Sequence, residues 1–424
     1  MDLYARFASG LDCFSDGDGA NDKELTGVSV ANSSFTVAED LSALVAGDKI
    51  GVIGSTGNDG VYTVVSTTTP YVDHTTIVVS ETIPDATVDG SLFPGHSVGV
   101  ADDVFIPGSL TVAWGEFPDC ASLTVALTGS LTVTLAADTE LTGCAITVNG
   151  MLELVMDGLS LTTNGALVVT GGTLDFNGLL IVGDCVNLAI AGGTISGTGS
   201  IHAGDCTLGV FGYSSTIALN ELVVGNVGTT LCEAATVDIG SMTVGNVAGS
   251  FISNSVMYID NLVCGDVAGD FLIKSLENSY LYLTTSAHIG NVTGTVITTD
   301  CRIAQNDQGM AAGDITVGDI GMHFATSSDF VCQNITCGNI TYDFLNDMVA
   351  NSSANDVKIL SCGDHVFYKP NAAFSAMSLR VDNMVNGDSL IFLDGATEAN
   401  ISIPHIVIGT KFSKPLDILN TGLL

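Results

Sequence analysis

The residues best placed to do chemistry are Asp364, His365 and Asp388. Asp364 and Asp388 each follow a glycine, Gly363 and Gly387, and lie one sequence repeat apart. If that repeat is one coil of a stacked solenoid, the strand spacing of about 4.8 Å brings the two carboxylates within about 5 Å. A retaining glycosidase uses a separation of that size. Any ladder of corner aspartates makes such pairs, however. Catalysis by Asp364, His365 and Asp388 is therefore the runner-up, and the leading reading assigns no catalytic residue.

Other constellations fall short of a mechanism. "NLVCGDVAGDF", residues 261–271, has the look of a glycine-rich phosphate loop. Such a loop runs into a helix and carries a lysine, and neither follows here. Polysaccharide lyases need a cation beside an acidic sugar, yet no Lys or Arg occurs from Ile50 to Ile273. The signatures G-x-S-x-G, H-E-x-x-H and G-x-x-x-x-G-K-[ST] are absent. Cys332 and Cys337 make one pair with no second pair or suitably spaced His for zinc, and the seven histidines are scattered. "DGDGANDKE" sets Asp16, Asp18 and Asp22 at calcium-loop spacing but lacks an oxygen ligand at Ala20 and the closing glutamate. Neither a metal nor a cofactor is expected. Sugar platforms use exposed aromatics, whereas the single tryptophan, Trp114, reads as a cap on the core end.

The elements that would position these groups are legible as a repeat. Gly followed by Asp or Asn recurs at Gly183, Gly204, Gly225, Gly245, Gly265, Gly290, Gly318, Gly338, Gly363 and Gly387, at spacings of 20 to 28 residues. Three places before each glycine stands an apolar residue, from Leu180 to Met384. One place before, and six places after, nine of ten are apolar. This is period-two alternation with one buried face. Repeats of this length, each a strand, a corner and more strand, describe an all-β parallel β-helix, expected right-handed because the coils are long and irregular. Stacked coils pile equivalent side chains into ladders: Phe251 over Phe271, Phe324 over Phe344, Cys337 over Cys362, Cys185 over Cys206. The glycine is expected to supply a positive φ at the corner, with Asp or Asn bonding its neighbours.

Composition agrees. The 424 residues are 46% apolar, 6% aromatic and 13% charged, with 49 glycines, which suits short strands and tight turns. Ten Lys and Arg face 46 Asp and Glu, a net charge of −36. Such a field repels nucleic acid and anionic membranes and keeps an assembly soluble; no nucleic-acid partner and no membrane insertion are expected. Eleven scattered cysteines describe no disulfide framework and point to synthesis in a reducing compartment. The opening "MDLYARFASGLDCF" shows no basic region followed by an apolar core, so no signal peptide is expected.

Four segments follow. Residues 1–26 read as an anchoring arm, with Leu3, Tyr4, Phe7 and Phe14 as anchors for a particle surface. Residues 27–94 read as a small β-domain, in which "GNDG" from Gly57 signals a hairpin. Residues 95–403 read as the parallel β-helix, with "SLTV" at Ser109, Ser122 and Ser130 opening its looser first coils. Residues 404–424 read as a C-terminal cap over an otherwise open sheet edge.

The combination of "GDKIGVIGSTGNDGVYTVVS" with "ADDVFIPGSLTV", "ASLTVALTGSLTV" and "NGMLEL" resembles the β-helical virion proteins of tailed bacteriophages: head decoration spikes, head fibres and tailspikes. The resemblance covers residues 27–180 in wording and the remainder in architecture. It implies a homotrimer located in the virion and made in the host cytoplasm, its N-terminal part bound to a major capsid or tail protein. The leading expectation is a non-enzymatic structural spike. The alternative is a tailspike that binds or hydrolyses a host surface glycan; a bacterial adhesin is a third reading that needs an export signal.

Overall fold

The computed structural model describes residues 2–5, 13–16, 19, 22–71, 74–98, 100–113, 120–141, 143–163, 165–182, 188–207, 209–274, 279–305, 310–347, 351–368, 372–385, 391–392 and 401–411. Among them every regular element is a strand. They fall into two compact units, residues 1–165 with 171–176, and residues 166–170 with 177–424.

The segment expected to be an anchoring arm begins with a strand, Asp2–Tyr4, that pairs in parallel with Asp103–Phe105. Leu3 lies opposite Val104 and is fully buried. Phe14 is also buried, and its N–H and C=O both bond to His96. An anchor must offer its side chain to a partner, and these two are already committed to the chain's own core. Phe7 and the side chain of Tyr4 lie outside the described residues. The N-terminal strand is thus the first rung of the coil ladder, and the intervening chain forms a separate body before the next rung at Asp103.

That body is a closed antiparallel barrel in which the strands run Lys23–Ser29, Ser34–Val37, His74–Val79, Gly60–Tyr71, Lys49–Ile53 and Ser91–Pro94, with Lys23 closing against Leu92. "HTTIVV" alternates half-buried and buried along His74–Val79, sending Thr75, Ile77 and Val79 inward. Phe35, Ile50, Val52, Ile77 and Leu92 fill the centre. Gly51 is glycine because the Phe93 ring lies across it; a Cβ there would sit 2.6 Å from a ring carbon. The predicted hairpin joins Lys49–Ile53 to Gly60–Tyr71, and Asp89 ties its loop by accepting from Ser55 and Thr56.

Beyond the barrel the "SLTV" phrases become stacked rungs. Ser130–Thr134 pairs in parallel with Ser109–Ala113 and with Met151–Val155, while Ser122–Val125 lies between Asp103–Ile106 and Ala145–Val148.

The second unit is a parallel β-solenoid. Its main ladder runs Leu179–Val182, Ser200–Ala203, Thr216–Val224, Thr236–Val244, Val256–Cys264 and Tyr280–Ile289. It continues through Asp314–Val317, Asn334–Ile340, Ser352–Cys362 and Phe374–Met384 to His405–Lys411. The long strands bend: in Thr216–Val224 the buried residues are Ile217 and Leu219, then Leu222 and Val224. Two adjacent residues, Asn220 and Glu221, point outward where the phase slips, so one strand serves two faces. A narrower parallel sheet of two-residue strands, such as Leu345–Asn346 beside Phe367–Tyr368, closes the coil. His405–Lys411 is a further rung of the ladder; the rest of the segment expected to be a cap, residues 412–424, lies outside the described residues.

Candidate functional site

The Gly-Asx corners form the most extended polar feature. Asn226 N–H donates to Asp205 Oδ1 (2.7 Å), Asn246 to Asn226 (3.0 Å), Asp266 to Asn246 (2.8 Å) and Asn291 to Asp266 (2.7 Å). Asp319 donates likewise to Asn291 and Asn339 to Asp319, both at 2.8 Å. Bonds also run the other way: the carbonyls of Asn246, Asp266, Asn291, Asp319 and Asn339 each accept an N–H from the preceding coil. These side chains are solvent-exposed, yet each from Asp205 to Asp319 holds the backbone of the next coil.

This geometry corrects the role expected of the glycine. None of Gly225, Gly245, Gly265, Gly290, Gly318 and Gly338 has a positive φ. A Cβ at Gly265, Gly290, Gly318 or Gly338 would instead stand 2.5 to 2.6 Å from the Oδ1 of the Asx one coil earlier. Glycine makes room for the ladder bond. The left-handed residues occupy another corner, at Ser214, Ala234, Asn254, Asp300, Ser327 and Asp347, with φ between 45° and 60°.

A shallow groove of about 570 Å³ follows this row from Asp205 to Asn291, with Val227, Val247 and Val267 beside the Asx residues and Thr207, Gly228, Ala248 and Ala268 on its margin.

The second feature was invisible as a motif. The narrow sheet registers Ala325 with Leu345 and Leu345 with Phe367, so His323, Asp343 and His365, two places earlier in each coil, form one column. Asp343 is only 5% exposed. Its Oδ1 accepts from the His365 N–H (2.9 Å) and faces His365 Nδ1 (3.1 Å). Its Oδ2 accepts from Asn346 Nδ2 (3.2 Å) and stands 3.5 Å from His323 Nδ1. His323 meets two further donors, the Asp343 N–H at Nδ1 (3.3 Å) and Asn346 Nδ2 at Nε2 (3.2 Å). A neutral imidazole has one acceptor nitrogen and an imidazolium has none, so the surroundings favour the neutral ring. Burial likewise holds His323 below its ordinary pKa, against the opposing pull of Asp343 and Asp364. Tyr342 covers one side, its ring centroid 5.6 Å from that of His323. The histidines are therefore not all scattered, as the sequence implied: two of them meet across a buried carboxylate.

Of the expected catalytic set, His365 belongs to this column. Asp364 is half-buried, and its N–H bonds to Tyr342 O; Asp388 lies outside the described residues. Asp364 does not continue the Asx ladder. Asn339 registers with Ser361, whose hydroxyl donates to Asn339 Oδ1 at 2.7 Å. The same slip undoes one expected ladder: Cys337 faces Ile359, and Cys362 faces Ile340. The phenylalanine ladders stand, with Phe251 stacked on Phe271 at 4.6 Å and Phe324 on Phe344 at 5.0 Å. Cys185, Asp18 and Trp114 lie outside the described residues.

Cys332 and Cys337 are buried, and burial pushes both thiols up, away from the thiolate a metal needs. Among the described residues no group of three or more His, Cys, Asp and Glu is arranged to hold a metal ion.

A third feature is a pocket of about 170 Å³ lined by Asp238, Asp260, Tyr258, Tyr282 and Gln305. Asp238, Tyr258 and Tyr282 share one column, and the two tyrosine rings stack at 4.7 Å. Searching for tryptophan overlooked this pair, although the tyrosines stand one repeat apart in sequence.

No protein family, curated protein or solved structure matches the chain.

Proposed function

We propose that this chain is a non-enzymatic structural protein: a stiff, acidic β-solenoid spike of a tailed-bacteriophage particle, assembled as a homotrimer. The observation that carries the reading is the Asx ladder. Six consecutive exposed Asx residues, from Asn226 to Asn339, bond coil to coil, so the polar groups that reach solvent act as fasteners of a continuous rod. A rod whose coils share their backbone bonds resists local opening and proteolysis, and its charge of −36 keeps closely spaced copies apart in solution. With Leu3 and Phe14 buried, attachment to the particle falls to the antiparallel barrel. It presents Val30, Val45, Val65 and Val88 to solvent.

The test is the copy number of the polypeptide per purified particle, by quantitative mass spectrometry, with light scattering of the isolated protein. Copies in multiples of three, and a solution mass three times the 43.4 kDa chain, are expected. A monomer absent from particles would overturn the proposal.

Half-buried Tyr258, stacked on the buried Tyr282 and beside two carboxylates, favours a second reading, glycan binding on the spike. Aromatic faces pack on sugar rings while carboxylates accept their hydroxyls. Under that reading Tyr258→Ala abolishes retention on immobilised host polysaccharide and leaves oligomerisation intact; equal retention of variant and parent would remove it.

A further inference from the structure

Ten cysteines among the described residues are buried, none of them in a disulfide, and two of them stand apart from the rest. Cys120 precedes the strand Ser122–Val125 and Cys144 precedes Ala145–Val148, which lie on adjacent rungs with Ser122 opposite Ala145. The Ala145 N–H bonds to Ala121 O at 3.1 Å, which fixes the two approaches to these strands side by side. The Cys120 and Cys144 sulfurs are 3.0 Å apart, and the residues are 1% and 0% exposed. Two neutral thiols packed as small hydrophobes settle near their contact distance of about 4 Å, as carbon atoms do. Here the sulfurs lie closer than packing alone places them. Carried back one step, the Ser122–Ala145 register sets Cys144 beside Ala121, so Cys120 lies one residue out of step. A rung spacing of about 4.8 Å with a rise of about 3.3 Å gives a Cα separation of about 6 Å, within the about 4.4–6.8 Å that a disulfide spans. Cys337 and Cys362, the pair that the repeat spacing would have stacked, face isoleucines instead.

We propose that Cys120 and Cys144 are a redox staple: dithiol when the chain is made in a reducing compartment, disulfide when it matures under oxidising conditions. The oxidant is a low-molecular-weight disulfide of the glutathione class. One cysteine thiolate attacks it, releasing one small thiol and leaving a mixed disulfide; the second cysteine thiolate displaces the second small thiol. Two cysteine thiols and one small disulfide thus become one protein disulfide and two small thiols. Both sulfurs are sealed in the finished coil, so exchange occurs while the rungs close. The link joins residues 24 apart and ties the first coils together where the chain leaves the barrel.

The experiment is cell-free synthesis of the full chain in glutathione buffers of graded oxidised-to-reduced ratio, quenched with iodoacetamide. Trypsin leaves both cysteines on one peptide, because no Lys or Arg lies between Ile50 and Ile273. A glutamate-specific protease cuts after Glu116, Glu140 and Glu153 and separates them. In oxidising buffer the expected product is the Cys120 peptide covalently joined to the Cys144 peptide, converted to two alkylated peptides by reductant. The linked protein should also shift its folded-to-unfolded ratio on the order of a hundredfold relative to the reduced protein, a difference that Cys144→Ala abolishes. Alkylation of both cysteines at every ratio overturns the proposal, as do links spread over other cysteine pairs.

Discussion

Phe251 and Phe271 offer a direct test of the coil register, because their rings stack only if residues one repeat apart truly superpose. Both are fully buried, with centroids 4.6 Å apart and ring planes within 13°. Truncating a fully buried phenylalanine to alanine costs about 3–5 kcal/mol in lost transfer energy and residual cavity. A stacked pair adds about 0.5–1.5 kcal/mol beyond burial. Each single variant, Phe251→Ala or Phe271→Ala, therefore loses about 4 kcal/mol. Each also forfeits the same pair interaction, so the double variant loses about 7 kcal/mol rather than the additive 8. The assay is urea unfolding of all four proteins followed by circular dichroism, with midpoints and slopes fitted together. Should 4 kcal/mol exhaust the stability, the same cycle with leucine at both positions retains most of the volume and still removes the ring contact. Strict additivity within about 0.3 kcal/mol would mean that the rings do not touch, and the register built on them would be wrong.

Further expectations follow from the same geometry. Burial lowers the His323 pKa from 6.5, so the unfolded chain takes up that proton first. Stability should be full above pH 6.5 and fall as the pH drops below it, until the folded site itself titrates; melting temperature against pH should show this for the parent and a flatter profile for His323→Gln. Asp343→Ala leaves the donors of His365 and Asn346 without their acceptor and should cost about 1–3 kcal/mol, measured by urea unfolding, with Asp343→Asn costing less. Burial and the neighbouring Asp266 push the Cys264 thiol up to about 12. At pH 8 its thiolate fraction is then roughly ten-thousandfold below one, so iodoacetamide followed by mass spectrometry should find Cys264 unmodified in the folded protein and modified once urea is added.

The solenoid was readable because its two signals are local. Alternation such as Ile217, Leu219 and Leu222, Val224 marks strands, and the Gly-Asx pair marks one corner in every coil from Gly225 to Gly338. The register beyond Gly338 was not readable, because the next coil replaces the ladder Asx by Ser361, whose hydroxyl takes over the bond. The next Gly-Asp pair, Gly363-Asp364, then falls three positions late, because Asn339 faces Ser361. That slip explains both the mistaken stacking of Cys337 on Cys362 and the failure to see His323, Asp343 and His365 as a column. His323 and Asp343 each lie five places after a corner glycine, but His365 lies only two after Gly363. The role of glycine was misjudged for a different reason: a positive φ and a close approach select the same residue, and only the distance to the preceding Oδ1 tells them apart. The N-terminal strand escaped notice because its partner, Asp103–Phe105, lies beyond the whole barrel in sequence.

The central claim is that the exposed Asx row fastens one coil to the next. Residue-resolved hydrogen exchange on the native protein tests it at the backbone amides of Asn226, Asn246, Asp266, Asn291, Asp319 and Asn339. These residues are solvent-exposed, yet each N–H is bonded to an Oδ1 of the preceding coil. The account predicts protection of these amides equal to that of the buried strand residues Leu222, Met242 and Leu262. Exchange at the rate of open loops would contradict it, and the Asx residues would then be ordinary surface polar groups.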